Sequence, residues 1–390
     1  MTAAELIFWF SLFVLIFCYA GYGILLFIYN NVKKLFQNKT KLNAELLPVT
    51  VIIPCYNEET VIAQKINNTL QLDYPSHLLH IIFITDGSTD SSAKLVEQHP
   101  SITLLHQTER QGKSAALKRA MRFVQTPVVV FTDANTLLNR EALLAMMRHY
   151  SDKSIGGVAG EKKIFKDRSV VGHAEGLYWQ YESFMKKQDS DFNTVVGAAG
   201  ELFSIRTELF SALDEEVILD DFVLSLQVCL RGYKIKYEPS AYAVEAPSSS
   251  LEEEEKRKTR IAAGDYQSLY YVKSCLNIFK YPLLSFQFFS RRLLRWFASP
   301  VLIFLVLITN IWLVVYEQGN FFDYFLLGQI IFYSLAILGR LFISFGIRMG
   351  VLNIPFYFLF MNYCLVKGFF NFVQGRQSVL WEKSLREAME

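Results

Sequence analysis

From Leu6 to Tyr29 the chain carries no charged residue, a run longer than the ~20 residues an α-helix needs to cross hydrocarbon. Three further apolar stretches, Ala298–Tyr316, Phe322–Phe345 and Ile354–Val373, crowd the other end. Backbone in lipid must satisfy its own hydrogen bonds, so such stretches have to be helical. The first run is not a cleavable leader, because no basic segment precedes it and it exceeds the apolar part of a signal peptide. A mean hydropathy of +0.22 agrees with a chain that places much of its surface against lipid.

Lys33, Lys34, Lys39 and Lys41 follow the first run. The positive-inside rule puts that flank in the cytoplasm and the amino terminus outside. Glu317–Asp323 has no Lys or Arg and reads as external, whereas Arg340 and Arg348 mark a cytoplasmic turn. A full crossing by Ile354–Val373 would leave Arg376, Lys383 and Arg386 outside, against their charge. That segment is therefore expected to re-enter or to lie along the interface, with Pro355 as its break. Phe279–Phe297 mixes basic and aromatic residues as an interfacial helix does. The expected partition is an anchor and basic linker at 1–45, an α/β domain at 46–271, interfacial helices at 272–297 and a membrane region with a tail at 298–390. The localisation expected is integral to a membrane, a bacterial inner membrane, with the α/β domain cytoplasmic.

Charge and cysteine content narrow the function. A net charge of +2 offers no field for nucleic acid, and no basic groove with interleaved aromatics is present. The five cysteines show no C-x-x-C spacing, so neither a disulfide framework nor a zinc site is expected.

Between Leu46 and about Tyr271, apolar runs alternate with helix-like stretches, the pattern of a largely parallel α/β sheet. Strands are expected at Val49–Pro54, His80–Thr85, Ile102–His106 and Val128–Thr132. Asp86 and Asp133 end two of them, and ligands of such sheets collect beyond carboxyl strand ends. Asp86, in Asp-Gly-Ser-Thr-Asp, either closes a turn or accepts the imide N–H of a uracil ring. Lys113 follows Gly112 at a helix start and either is solvated or meets a nucleotide; the full phosphate-loop pattern is absent. Asp133 and Asn135, two apart, can point to one side and offer two oxygens to Mg²⁺ or Mn²⁺ beside substrate phosphates. Asp220 and Asp221 precede a helix at Phe222–Arg231; capping suits Asp220 and a general base suits Asp221. Lys256–Arg260 reads as a solvated helix with charge pairs, or as Arg257 and Arg260 clamping a diphosphate with forked donors.

Together these residues resemble the membrane-embedded inverting family-two glycosyltransferases, among them the synthases of cellulose, chitin, hyaluronan and poly-N-acetylglucosamine. The resemblance rests on Val51-Ile-Ile-Pro-Cys-Tyr-Asn-Glu-Glu59, Asp86–Asp90, Gly112-Lys113, Asp133-Ala-Asn135, Asp220-Asp221, Arg257-x-x-Arg260, Ser290–Trp296 and Trp381. It implies a GT-A fold, a UDP-sugar donor, a divalent metal, and a glycan or lipid-linked acceptor. It further implies that Asp86 binds the base and that Lys113, Asp133, Arg257 and Arg260 contact the nucleotide-sugar. Asp133 and Asn135 match the metal-binding pair and Asp221 the base. The Gly197–Gly200 loop, with Asp220, matches the place of the acceptor's terminal sugar. Two departures stand out. Asn135 replaces a second Asp, and Ile261 stands where a Trp usually stacks on the acceptor in processive members. Alternatives are single-sugar transfer to polyprenyl phosphate, diacylglycerol or a ceramide-like lipid, and a non-catalytic nucleotide-sugar-binding membrane protein.

Overall fold

In a computed structural model, residues 1–36, 45–165, 170–316, 320–345 and 353–376 are described. Lys39, Lys41, Glu317, Arg348, Trp381, Lys383 and Arg386 lie outside them, so the readings placed on those residues have no structural counterpart here.

Among the described residues one mixed sheet has the order β3-β2-β1-β4-β7-β6-β8-β5. Its strands are β1 Val49–Cys55, β2 Leu79–Asp86, β3 Thr103–Gln107, β4 Val128–Phe131, β5 Thr136–Leu138, β6 Ile155–Ile164, β7 Phe203–Arg206 and β8 Lys234–Glu245. The four strands expected from sequence are β1 to β4, and all pair in parallel. All seven residues of β1 are buried, as befits a central parallel strand covered on both faces. Alternate residues feed opposite layers: Val51 and Ile53 join one apolar cluster, Ile52 the other. Full burial of each such side chain stabilises the fold by roughly 1.5–3 kcal/mol. β2 and β3 extend the sheet to one side of β1 and β4 to the other, which opens a crevice at the reversal. Past β4 the sheet changes character: β7 runs antiparallel to both β4 and β6, β8 parallel to β6, and β5 antiparallel to β8.

The helices are α1 Ala3–Ile16, α2 Tyr22–Leu35, α3 Glu59–Leu70, α4 Ser92–Glu97, α5 Lys113–Met121, α6 Ala142–Met147, α7 Val170–Phe192, α8 Asp220–Leu230, α9 Leu251–Val272, α10 Pro282–Phe288, α11 Ser299–Tyr316, α12 Asn320–Ser344 and α13 Ile354–Val373. A π-helical turn, Phe17–Gly21, joins α1 and α2 into one helix. Among the described residues four helices are long and apolar enough to cross a membrane: Ala3–Leu35, Pro282–Tyr316, Asn320–Ile343 and Ile354–Val373. The second is continuous, because α10 passes through a π-helical stretch, Phe289–Ala298, directly into α11.

That stretch turns its arginines toward the α/β domain. Arg291, 2% exposed, pairs with Glu182 at 2.9 Å and with Asp189 on α7, and Arg295 pairs with Glu182 at 2.5 Å. The Tyr22 hydroxyl donates to Asp189 at 2.5 Å and Asn30 to the Gln188 carbonyl at 2.9 Å, docking α2 on the same helix. The helix expected at the lipid interface thus spends its basic side on protein.

α13 runs along the polar helix α9. Tyr357 donates to Glu254 at 3.0 Å and Lys367 to Glu255 at 2.6 Å, and Tyr266 packs edge-on to Phe369. At Gly368 a Cβ would lie 2.5 Å from the Ala262 Cβ and 2.9 Å from the Ala263 nitrogen, so only glycine permits this approach.

Candidate active site

Three polar chain segments converge where the sheet reverses. β2 ends on Asp86, β4 stops two residues before Asp133, and α8 begins at Asp220. Because β2 and β4 are parallel members of one sheet, their carboxyl ends lie on a common edge. α5 starts at Lys113, just after Gly112 with φ of 95°. A positive φ costs glycine little, and it aims the first turn of α5 into the crevice.

Lys113 is the centre of the arrangement. Its Nζ donates to Asp133 Oδ1 at 2.9 Å and lies 4.0 Å from Asp220 Oδ1. Burial alone would pull its pKa down, but Asp133, Asp220 and Asp221 hold the ammonium well above the usual lysine range. Burial raises the Asp133 carboxyl against the pull of Lys113. Asp221 is pushed up to about 7, first by burial and then by the neighbouring Asp220 charge, with Lys113 opposing. A carboxyl poised there can shuttle a proton near neutral pH.

Lys113, Asp133, Asn135, Gly197, Gly200, Asp220, Asp221, Arg257 and Arg260 line a single cavity of about 1020 Å³. It reaches from these acids to Tyr19 and Asn362 on the apolar helices. Gly197 has φ of 90°, and a Cβ there would collide with the Phe222 ring at 2.2 Å. Asp86 is apart from the cavity. It lines a small neighbouring niche with Tyr56 and Arg110, whose guanidinium sits 3.6 Å above the Tyr56 ring. One Asp86 oxygen accepts from the Gln111 and Gly112 amides at 3.0 and 2.7 Å. The other is buried with no hydrogen-bond partner among the described residues.

Local details depart from the sequence reading. Asp220 does not cap α8: Leu219 holds the cap position, and it is Asp221 that accepts an amide, from Phe222 at 2.8 Å. Nor is α9 a solvated charged helix. Glu254 is fully buried, receiving Arg257 at 2.7 Å, Ser248 at 2.7 Å and Tyr357. Arg257 thus shares its fork with a carboxylate of its own helix, while Arg260 lines the cavity.

The comparisons show what the chain is similar to. Residues 50–214 match the model for glycosyl transferase family 2. That stretch resembles the family 2 glycosyltransferases. The chain is 27% identical over 284 residues to the poly-beta-1,6-N-acetyl-D-glucosamine synthase of Staphylococcus aureus, covering 70% of this chain and 64% of that one. The corresponding synthase of Staphylococcus epidermidis is 24% identical over 229 residues, covering 57% and 55%. The chain therefore spans less than two thirds of the length of these relatives. A mannosyltransferase from Pyrobaculum calidifontis, solved with GDP-Man and Mn²⁺, superposes with a TM-score of 0.68 at 21% identity, over 94% of this chain and 99% of that one. The fold of the chain is GT-A, with a mixed α/β sheet and, among the described residues, four candidate membrane helices.

The fold family implies a divalent cation. Among the described residues no group of three or more His, Cys, Asp or Glu forms a ready cage. One carboxylate and one amide on a single turn suit a hard cation that takes its remaining ligands from substrate phosphates and water. The turn is held from beneath by Lys65. This lysine is fully buried and donates to Thr132 at 3.0 Å and to the Thr136 carbonyl at 2.8 Å. Burial brings its pKa down to about 7, against the pull of Asp133.

Sequence reasoning missed Glu245, Glu201, Lys162 and Asp265. Asn135 donates to Glu245 at 3.3 Å, so an aspartate at this position would set two carboxylates against each other. Glu245 in turn pairs with Lys162, which also holds Glu201 at 2.6 Å. Glu245 ends β8 as Asp86 ends β2, but β8 carries Lys234, Lys236, Glu238 and Pro239 and so gives no apolar run for the acid to close.

Proposed function

We propose that the transferase moves a sugar from a UDP-sugar to a glycan acceptor at a membrane, in polysaccharide synthesis, with inversion at the anomeric carbon. One observation carries this reading: Asp133 and Asp221 open into one cavity with the Lys113 ammonium between them. Asp86, through the oxygen that accepts no hydrogen bond among the described residues and lies 3.8 Å from the Arg119 guanidinium, would accept the N–H of the uracil base. Lys113 and Arg260 would meet the diphosphate, and Arg257 would lie at its edge. Asp133 and Asn135 would hold Mg²⁺ or Mn²⁺, which when bound offsets the charge of the departing diphosphate. Asp221 would take the proton from the acceptor hydroxyl as the oxygen attacks the anomeric carbon and the bond to the diphosphate breaks. Gly197, Gly200 and Asp220 would border the acceptor's terminal sugar.

The domain boundaries at 45, 271 and 297 remain the proposed division, with the α/β unit on the cytoplasmic side. α13 lies flush along α9, whose first turn carries Glu252, Glu253 and Glu254. A helix in that position belongs at the interface rather than across the bilayer, which keeps both of its ends on one side.

The test is purified protein in nanodiscs, a panel of UDP-sugars and either metal, with UDP release and product size as readouts. Asp221→Asn should lower transfer by roughly 10³-fold, within the range of lost general-base catalysis, and leave UDP binding within twofold. Wild-type turnover in that variant would refute the assignment. A second reading, transfer of one sugar to a lipid-linked acceptor, draws on Ile261 and on the extension of the cavity to Tyr19 and Asn362. A single product band rather than a ladder would support it.

A further inference from the structure

Asp265 lies on α9 one turn beyond Ile261, and both line the cavity that Asp221 and Gly197 share. Residues four apart occupy one helix face, so Asp265 stands on the side of Ile261 away from Arg257. Its carboxylate makes no hydrogen bond or ion pair within 4.0 Å among the described residues. The charged groups facing it are Arg292, Arg295, Glu182 and Lys258, and each is engaged elsewhere. Arg292 donates through Nε and Nη2 to the Val196 carbonyl at 3.1 and 2.7 Å. Arg295 donates to Glu182 at 2.5 Å and to the Tyr178 hydroxyl at 3.2 Å. Lys258 sits 4.4 Å from the Tyr178 ring centre and 3.7 Å from Glu254. Burial pushes the Asp265 carboxyl up to about 7, with Arg292 and Arg295 pulling the other way.

A carboxylate set in a confined cavity without donors forgoes the hydrogen bonds that would offset its desolvation. The walls beside it suit a sugar. Trp296 lines the cavity, its ring 5.8 Å from that of Phe222, and its carbonyl is held by the Tyr266 hydroxyl at 2.8 Å. Tyr178, Trp179 and Tyr181 also line the cavity. Aromatic side chains, together with a carboxylate that lacks a hydrogen-bond partner among the described residues, suit a ring with an apolar face and a hydroxyl edge.

We propose that Asp265 is an acceptor-binding residue, accepting hydrogen bonds from two hydroxyls of a sugar ring of an uncharged glycan that lies in the aromatic-lined cavity. This rests on the transferase reading and adds the acceptor class to it. Arg292, Arg295 and Lys258 are each engaged by protein groups, and a phosphate brings no donor for the Asp265 carboxylate whereas a glycan brings hydroxyls, so the glycan is favoured.

The experiment measures binding to the full chain in nanodiscs saturated with UDP. Its probes are tetrasaccharides of β-1,6-linked N-acetylglucosamine and of β-1,4-linked glucose, and a short polyprenyl phosphate. Asp265→Asn and Asp265→Ala should each weaken binding of a tetrasaccharide at least tenfold. In turnover they should raise the acceptor KM by the same factor, with UDP affinity and donor hydrolysis in the absence of acceptor unchanged. Unaltered tetrasaccharide binding in both variants would overturn the proposal and leave the transferase reading standing. Binding of polyprenyl phosphate alone by the wild type would overturn it as well. Absence of UDP-sugar turnover in the wild type would instead remove the reading on which it rests.

Discussion

Gly200 passes so close to Asp221 that a Cβ on it would lie 3.2 Å from the Asp221 Oδ2 and 3.0 Å from the Lys113 Nζ. Both contacts are the ends of side chains, which can shift by a few tenths of an ångström, so Gly200→Ala should fold. The added methyl occupies the space an acceptor hydroxyl needs beside Asp221. Small misplacements at a reacting centre can cost about 10²-fold, and transfer should drop by an amount of that order while UDP affinity stays put. Steady-state kinetics beside UDP titration checks this.

The pH profile should expose Asp221. Its folded-state pKa of about 7 means that the base form is lost as pH falls through neutrality, so kcat/KM should fall on the acid side near that value. Asp220→Asn removes the charge that helps hold the proton on, and the acid limb should move to lower pH. A profile unmoved by that substitution would disconnect Asp221 from the limb.

Two arginines one turn apart should fail in different ways. Arg257 neutralises the fully buried Glu254, and removing one partner of a buried pair costs about 3–5 kcal/mol. Arg257→Ala should therefore lower the melting temperature markedly. Arg260→Ala should leave melting nearly unchanged and cost roughly 10²–10³-fold in turnover, as loss of one preorganised donor does.

Lys65 makes stability depend on pH in a chosen direction. Its pKa is about 7 folded against 10.5 in its ordinary state. Below pH 7 both states are protonated and the burial penalty is complete. Between 7 and 10.5 folding releases a proton, so stability rises with pH. Lys65→Met lacks this slope, and the two proteins should differ most at neutral pH, with a change on the order of 4 kcal/mol across the window. Parallel stability curves would show that Lys65 keeps its proton on folding and that its pKa is not depressed.

The parallel half of the sheet was legible because β1, β2 and β4 are buried on both faces, and burial of that kind writes uninterrupted apolar runs. Asp86 and Asp133 could be read as site residues because they terminate such runs. The antiparallel half was not legible: β6 carries Lys162 and Lys163 within the strand and β8 has Glu238 and Pro239, so neither shows a clean period. Glu245 and Lys162 stayed hidden with them. Asp265 was masked by the charge run at the start of α9, whose burial depends on α13, about a hundred residues further on. The helix expected at Phe279–Phe297 and the apolar run from Ala298 are parts of one continuous helix, Pro282–Tyr316, because a π-helical stretch carries three arginines through the junction without a break.

Arg292 grips the backbone just before Gly197 from a helix whose far end, α11, is among the most apolar parts of the chain. A rod clamped at the Gly197 loop, with a far end apolar enough for lipid, is a lever. Lipids that are too short or too long for the rod would tilt it and shift Val196 against Phe222, so the thickness of the host bilayer becomes a setting of turnover that reconstitution in short- and long-tailed lipids can read.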